Sequence, residues 1–497
     1  MLSMMLTGFS LVLTVKCLLL ISGGVMLGIL FGAIPGITVT MGVALFLPIT
    51  FVMEPVNGLA LLLGLYIGGT SGGLISAILL RIPGTPASVA TCFDGHPMAQ
   101  RGEAGRAISL GIVVSFIGGM LSLVVLILVA PVLAKVTLQF GAFEYFSIAL
   151  FSLTLISGLS GKSILRGLAS GLIGMSLAMV GTAPISAFNR YTFGIFELSS
   201  GFSLLPVLVG LFAVSQVITA AFEKTDSDDS GKITEIKKVK FNIQDLKGQT
   251  KNIALSTAIG TGIGILPGLG AAICNILAYS AVKKISKYPE KFGTGIPDGI
   301  VASETSNNAS TGGAMIPLMT LGIPGDNTTA IILAGFVIHG ITPGPLLFIN
   351  HGNLAYAVFA ALIIANVVML FSEFLFLRGF IKLLRIPRYI LLPAVMVFCT
   401  IGAYGTNNQI FDVFVMLIFG LLGFALNRVR FPLAPIILGF ILGPVIELNL
   451  RRGLMRSEGS FLPFITEPVS GVFLLITVFM VGWIIYGNVK KNRKAVS

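Results

Sequence analysis

Four Pro-Gly pairs stand in apolar surroundings, and with the polar residues around them they are the parts of this chain that could do chemistry. Proline lacks a backbone donor and glycine loosens a helix, so each pair frees amide and carbonyl groups. At membrane depth such groups are tolerated only where protein or a water-filled cavity satisfies them. We therefore predict helix breaks beside a solute site at Pro35-Gly36, Pro83-Gly84, Pro267-Gly268 and Pro324-Gly325.

Neutral polar side chains cluster around the same pairs. Asn, Ser and Thr supply uncharged oxygens and amide donors, which suit a small carboxylate together with a hard monovalent cation. Helix N-termini at the breaks would add a favourable dipole for the anion. Helix capping and hydrogen bonding between helices are the alternative roles for such residues. The predicted substrate-binding residues are Thr70, Ser71, Thr85, Ser88, Asn307, Asn308, Thr328 and Thr329.

Few ionisable residues lie near these pairs. Glu304 and Asp326, with Asn307, are predicted to bind a coupling cation or to carry a proton. For Asp326 a solvated loop end is the alternative. No cofactor is predicted, and the metal to be expected is a coupling Na⁺. Other ionisable residues are interpreted as lying near helix ends, at the membrane interface: Lys16, Glu144, Glu373, Asp412 and Glu447.

Two motifs raise enzymatic alternatives. Gly158 to Ser163 contains a Gly-Lys-Ser triplet, but position 156 is Ile where a phosphate-binding loop needs its first Gly. Gly69-Thr-Ser-Gly72 matches a pattern of intramembrane serine proteases, which also need a neighbouring His. The histidines are predicted to lie in loops, and so is the segment Asp94 to Met98. We predict that the chain is not an enzyme.

Composition identifies the surroundings of these residues. The chain has 497 residues, 55% of them hydrophobic and 10% charged, with a mean hydropathy of +0.97. Soluble domains carry about 25% charged residues, so we predict an all-α polytopic membrane protein in a lipid bilayer. The net charge of +12 comes from Lys and Arg in short loops, as the positive-inside rule produces, and it does not indicate nucleic-acid binding.

Apolar segments recur along the whole chain, and a charged stretch near the middle interrupts them. Residues 223–251 carry dense charge of both signs and are predicted to link a first membrane repeat, 1–222, to a second, 252–497. We expect about 12 transmembrane helices, some of them Pro-Gly-broken or re-entrant. The segments lie near 8–33, 36–52, 58–80, 107–134, 143–160, 164–183, 202–222, 252–282, 312–349, 353–377, 389–426, 432–448 and 469–487.

The two halves share motifs in the same order. Gly28–Gly36 matches Gly260–Gly268, and Gly72–Gly84 aligns with Gly313–Gly325. The loop charges after these motifs are opposite in the two halves, which favours two inverted-topology repeats. The predicted cytoplasmic segments are 85–106, 283–298 and the C-terminal tail with Lys490 to Lys494; 51–57 and 326–352 are predicted to face the other side.

Five ordered motifs resemble the large membrane subunit of tripartite tricarboxylate transporters: Gly32–Gly36, Tyr66–Pro86, Asp94–Met98, Asn307–Gly313 and Gly322–Gly325. This resemblance spans nearly the whole chain. It implies a multi-pass protein of a bacterial or archaeal inner membrane, working with a small four-helix membrane subunit and an extracytoplasmic solute-binding protein. It also implies uptake of citrate, other di- and tricarboxylates or aromatic acids, driven by a Na⁺ or H⁺ gradient. A passive organic-anion channel is the main alternative.

Overall fold

The computed structural model describes residues 1–35, 37–159, 164–222, 241–267, 270–383 and 388–496. These residues form α-helices almost throughout, with one short hairpin of two-residue strands. The prediction of an all-α polytopic fold is confirmed. It follows from composition, because a bilayer leaves the backbone of a spanning segment no polar partner except its own.

The first half contains ten α-helices and the strand pair. Short 3-10 helices lie at Pro86–Ser88 and Phe196–Ser200, and π-helical turns at Ala99–Glu103 and Val209–Val214. Strand β1 (Gly181–Thr182) pairs antiparallel with β2 (Asn189–Arg190). The helices are α1 (Leu2–Val12), α2 (Val15–Ala33), α3 (Val39–Thr50), α4 (Pro55–Leu80), α5 (Thr91–Met98), α6 (Ala104–Thr137), α7 (Ala142–Leu159), α8 (Ile164–Ala178), α9 (Leu204–Leu208) and α10 (Ser215–Phe222).

The second half contains eleven α-helices in the described residues, with 3-10 turns at Ile243–Leu246 and Pro289–Lys291. The helices are α11 (Thr250–Ile265), α12 (Gly270–Ile285), α13 (Pro297–Leu321), α14 (Asn327–Ile338), α15 (Leu347–Asn350), α16 (Gly352–Leu383), α17 (Arg388–Asn407), α18 (Ile410–Arg428), α19 (Leu433–Arg456), α20 (Leu462–Thr466) and α21 (Pro468–Val496).

Some predicted segments differ from the observed helices. The segments 8–33 and 389–426 are each two helices, the second divided where Asn408 adopts a left-handed φ of 54°. Helix α13 begins at Pro297, before the predicted start near 312, because its polar first half is helical and buried. By length and composition, seven helical stretches in the described part of the chain are apolar enough to cross a membrane. The count of about 12 stays a prediction.

The chain forms two compact units that do not follow its sequence halves. The first unit comprises Met1–Ala134 and Gln216–Thr406, and the second comprises Lys135–Ser215 and Asn407–Ser497. The first unit therefore combines helices from both sides of the charged linker, whose residues 223–240 lie outside the described part. The assignment of two repeats and a linker stays a prediction.

Within the first unit, α2 runs parallel to α4 along a seam of glycines. A Cβ added to any of three α2 glycines would strike a backbone carbonyl oxygen of α4, so only glycine permits this approach. The partners advance in the same direction on both helices: Gly24 with Leu61, Gly28 with Leu65 and Gly32 with Gly69.

Helix α3 returns antiparallel to α4. A Cβ at Gly69 would meet Val39 at the start of α3, and one at Gly58 would meet Thr50 at its end. Helices α2 and α3 therefore form a hairpin with its tip beside Gly69. Helix α4 has 26 residues, about 39 Å at 1.5 Å per residue. The tip, which contains Pro35, ends near the middle of this length.

Helices α11, α12 and α13 repeat this arrangement. A Cβ at Gly260 would strike the carbonyl of Ser306, and one at Gly264 would meet that of Ser310, so α11 is parallel to α13. Helix α12 runs back, since Cys274 Sγ lies 3.3 Å from the carbonyl of Ser306 and the Tyr279 ring lies near the start of α13. This second hairpin also ends beside the middle of its long helix.

The long helices α4 and α13 run in opposite directions. The segment after α4 runs parallel to it, since Ser88 lies near Gly73 and Gly95 lies near Ile78. The same segment runs antiparallel to α13, because Thr91 bonds Ser303 (2.9 Å) whereas Asp94 lies nearer the start of that helix. The two hairpins therefore enter the unit from opposite ends.

Cysteine labelling of intact cells will test the predicted sidedness. Lys287 and His351 are both exposed and lie in segments predicted to face opposite sides. We expect a membrane-impermeant maleimide to label His351→Cys from outside and Lys287→Cys only after permeabilisation. The native chain is the control, because its four cysteines are buried. Labelling of both positions from the same side would contradict the inverted arrangement.

Candidate functional site

The Pro-Gly corners meet pairwise inside the first unit. A Cβ at Gly84 would strike the carbonyl oxygen of Gly32, and one at Gly325 would lie 2.7 Å from that of Gly264. Gly32 and Gly264 occupy matching positions in the first shared motif, and Gly84 and Gly325 match in the second. Each Pro-Gly loop therefore packs on the hairpin of its own half in the same way. Gly36 and Gly268 lie outside the described residues.

Each later Pro-Gly pair is followed by a helix start with a side-chain cap, which is reciprocal at Asp326. Asp326 Oδ1 accepts from the Thr329 amide (2.7 Å), and the Asp326 amide donates to Thr329 Oγ1 (2.9 Å). Thr85 and Ser88 form only one half of the corresponding cap: the Thr85 amide donates to Ser88 Oγ (3.3 Å), whereas the Ser88 amide bonds the backbone carbonyl of Thr85. The Tyr66 hydroxyl also donates to Asp326 Oδ2 (2.7 Å). Capping therefore accounts for part of what these residues do, and their substrate or ion roles stay predictions.

The hairpin of each half also contacts the segment after the Pro-Gly pair of the other half. Thr40 Oγ1 of α3 lies 2.9 Å from Thr328 Oγ1 at the start of α14. Asn275 of α12 donates through Nδ2 to the carbonyl of Ala87. Four helix breaks thus converge on one buried region of the unit.

The centre of this region lies between α4 and α13, which are buried from Asn57 to Leu79 and from Gly299 to Thr320. Asn307 Nδ2 donates to the carbonyl of Thr70 (3.1 Å). The next residue, Ser71, donates through Oγ to Glu373 Oε2 (3.1 Å). The structure therefore brings three of the predicted binding residues together.

The interpretation of Glu373 as a helix-end residue is wrong. Its side chain is fully buried, and α16 continues to Leu383, well past the predicted end at 377. The apolar pattern stops early because Arg378 and Lys382 share the last turns of this helix. Ser71 on α4 donates a hydrogen bond to Glu373. The residues next to Glu373 in the sequence do not predict this contact.

Glu304 lies in the same region with both carboxylate oxygens bonded. Thr91 Oγ1 donates to Oε1 (2.5 Å) and Ser115 Oγ to Oε2 (3.2 Å). Asn308 Nδ2 donates to the Glu304 carbonyl (3.1 Å). The sequence-based site omitted Thr91 and Ser115, which α5 and α6 contribute. Only their packing against α13 identifies them.

Several buried oxygens of this region lack a hydrogen-bond partner among the described residues: Thr85 Oγ1, Thr305 Oγ1, Asn307 Oδ1 and Glu373 Oε1. Buried polar atoms are normally bonded. None of the ion pairs found in the described residues involves Glu304 or Glu373. The region thus offers oxygen ligands for a cation and neutral donors for a carboxylate.

The segment predicted as a polar loop at 94–98 is helix α5, and Asp94 is fully buried within it. Its Oδ1 accepts three backbone amides, those of Gly293 (2.9 Å), Gly295 (2.7 Å) and Ile296 (3.0 Å). The Tyr279 hydroxyl donates to Oδ2 (2.8 Å). Asp94 therefore ties α5 to the loop before α13.

The contacts of Ser71 do not support the protease alternative. Its hydroxyl bonds Glu373, not a histidine. His96 lies within α5, where the loop prediction is wrong, and its ring Nδ1 is 3.1 Å from the carbonyl of Ile78. His339 ends α14 beside Gly58, and His351 precedes α16.

The apolar helices and the polar groups gathered inside them define a multi-pass membrane protein with a buried polar centre. Residues 18–438 match the model of the tripartite tricarboxylate transporter TctA family. The chain belongs to this family, and is thus a membrane component of tricarboxylate transport.

Two proteins of Agrobacterium vitis are similar to the chain. One, described as an uncharacterized 52.8 kDa protein in the TAR-I ttuC' 3' region, is 35% identical over 473 residues, which cover 95% of this chain and 94% of that protein. The other, an uncharacterized protein in the TAR-II ttuC' 3' region, is 35% identical over 237 residues, 48% of this chain and 98% of that protein. No solved structure matches.

Proposed function

We propose that the chain is the permease subunit of a tripartite secondary active transporter that imports di- or tricarboxylates, or related organic acids, using a Na⁺ or H⁺ gradient. The observation that carries the proposal is the convergence of four helix breaks, entering from opposite ends, on the buried residues Thr70, Ser71 and Asn307. Opposed broken helices meeting at mid-depth are typical of secondary transporters with inverted repeats.

The chemistry of this region fits an anion accompanied by a cation. Amide and hydroxyl groups can donate to a carboxylate, and the unpartnered oxygen of Asn307 can coordinate a cation. The proposed substrate residues remain Thr70, Ser71, Thr85, Ser88, Asn307, Asn308, Thr328 and Thr329; the proposed coupling-ion residues are Glu304, Asn307 and Asp326.

Family membership supports the proposed partners and location. We place the chain in a bacterial or archaeal inner membrane with its C-terminus in the cytoplasm. Its partners would be a small four-helix membrane subunit and an extracytoplasmic solute-binding protein, which would deliver the carboxylate to the side where the first hairpin enters. No enzymatic step is proposed.

Reconstitution into proteoliposomes with the two partner proteins tests the proposal. We expect radiolabelled citrate or succinate to accumulate inside against its gradient when an inward Na⁺ or H⁺ gradient is imposed. Counterflow should persist without an ion gradient. A passive channel cannot concentrate its solute. If the labelled substrate only reaches equal concentrations on both sides under every gradient, the chain is a passive organic-anion channel instead.

A further inference from the structure

Glu373 differs from Glu304 in how its carboxyl group is held. Both side chains are fully buried. Glu304 has hydroxyl donors on both oxygens, whereas Glu373 has one, Ser71 Oγ on Oε2, and its Oε1 has no partner among the described residues. A buried carboxylate that has one donor, and no ion pair in the described part of the chain, is costly when ionised.

Further unpartnered oxygens accompany Glu373. Asn366 lies seven residues earlier, two turns away on the same face of α16, and its buried Oδ1 has no partner in the described part of the chain. Buried Asn307 Oδ1 is also unpartnered, and its amide bonds the carbonyl of Thr70, the residue before Ser71. Glu373 thus lies in a polar region continuous with the proposed substrate site.

The charged groups on the elements around Glu373 do not neutralise it. Glu304 of α13 acts on it electrostatically, and the two negative charges would oppose each other. Helix α1 has no charged side chain, and α4 contributes Tyr66 and, at its ends, Glu54 and Arg81. The remaining ionisable groups are Asp298 at the start of α13, Lys16 and Cys17 at the start of α2, Arg106 and Lys135 near the ends of α6, and Tyr356, Arg378 and Lys382 on α16.

From this geometry we propose that the coupling ion is a proton and that the Glu373 carboxyl carries it. The inference rests on the proposed transport function and adds to it a carrier residue and an ion. The carboxyl takes up one proton while the site is open to the outside and releases that proton after the site opens to the cytoplasm. Protonation removes the charge of this carboxyl group. The neutral group can then stay buried while the site is closed to both sides of the membrane.

Replacement of Glu373 by glutamine tests this role, because the amide imitates a permanently protonated carboxyl. In proteoliposomes containing the complete transporter, we expect Glu373→Gln to lose at least tenfold in citrate or succinate accumulation driven by an inward H⁺ gradient. Counterflow of the same label, which needs no net proton release, should stay within about twofold of the native rate. A pH-sensitive dye trapped inside should report substrate-driven acidification for the native protein and none for the variant.

Glu144→Gln is the matched control, since Glu144 caps the start of α7 in the other compact unit; it should keep both activities. Full H⁺-driven accumulation by Glu373→Gln would overturn the proposal. So would loss of counterflow together with accumulation in a variant that still elutes as a folded monodisperse protein, or native uptake driven by Na⁺ with no proton movement. Absence of all transport in the native protein would refute the proposed function instead.

Discussion

Gly32→Ala and Gly264→Ala are each expected to destabilise the folded protein and to lower its unfolding midpoint. At Gly32 the added Cβ would overlap the carbonyl oxygen of Gly69, and at Gly264 it would lie 2.5 Å from that of Ser310. These contacts are with backbone, so a hairpin would have to separate from its long helix. Overpacking costs about 1–3 kcal/mol, and we expect the upper end of this range, with a fall in the midpoint of thermal unfolding of about 5 °C or more.

Gly23→Ala and Gly262→Ala are the matched controls on the same two helices, α2 and α11. A Cβ at either position meets nothing within 4 Å. Alanine favours a helix over glycine by about 1 kcal/mol, so these variants should unfold at or slightly above the native midpoint. Measurement by size-exclusion chromatography after heating in detergent suffices. Equal unfolding midpoints for the four variants would show that the close contacts of Gly32 and Gly264 do not determine how the hairpins pack on α4 and α13.

Asn307→Ala is expected to lower gradient-driven uptake at least tenfold while leaving the protein folded. The substitution removes the donor to the Thr70 carbonyl and an unpartnered oxygen proposed to face substrate or cation. A tenfold loss corresponds to about 1.4 kcal/mol, in the range of one buried hydrogen bond. Asn308→Ala should lower uptake less, because the Asn308 amide bonds a carbonyl of its own helix.

Asn449→Ala provides the control for these asparagines. Its amide also donates to a carbonyl one turn earlier in its own helix (2.8 Å), but in the other compact unit. Initial rates of radiolabelled citrate or succinate uptake should be compared at equal amounts of reconstituted protein, with unfolding midpoints recorded in parallel. Native rates in both Asn307→Ala and Asn308→Ala would remove these residues from the site.

The sequence by itself determined the membrane class, the positions of the helix breaks and the family. Apolar runs and Pro-Gly pairs are local properties of the sequence. In a bilayer an apolar run must form a helix to pair its backbone groups, and a Pro-Gly pair interrupts that helix. Glycines at matching positions of the shared motifs, Gly32 with Gly264 and Gly84 with Gly325, also have matching surroundings in the structure.

Only the tertiary structure decided which polar groups meet. Tyr66 bonds Asp326 across 260 residues of sequence, and Ser71 bonds Glu373 across 302. The hydropathy pattern predicted an end of α16 that is too early and a start of α13 that is too late. A hydropathy scale treats each residue as if lipid surrounded it. In the folded unit other helices surround these side chains, and hydrogen bonds between distant segments make their burial stable.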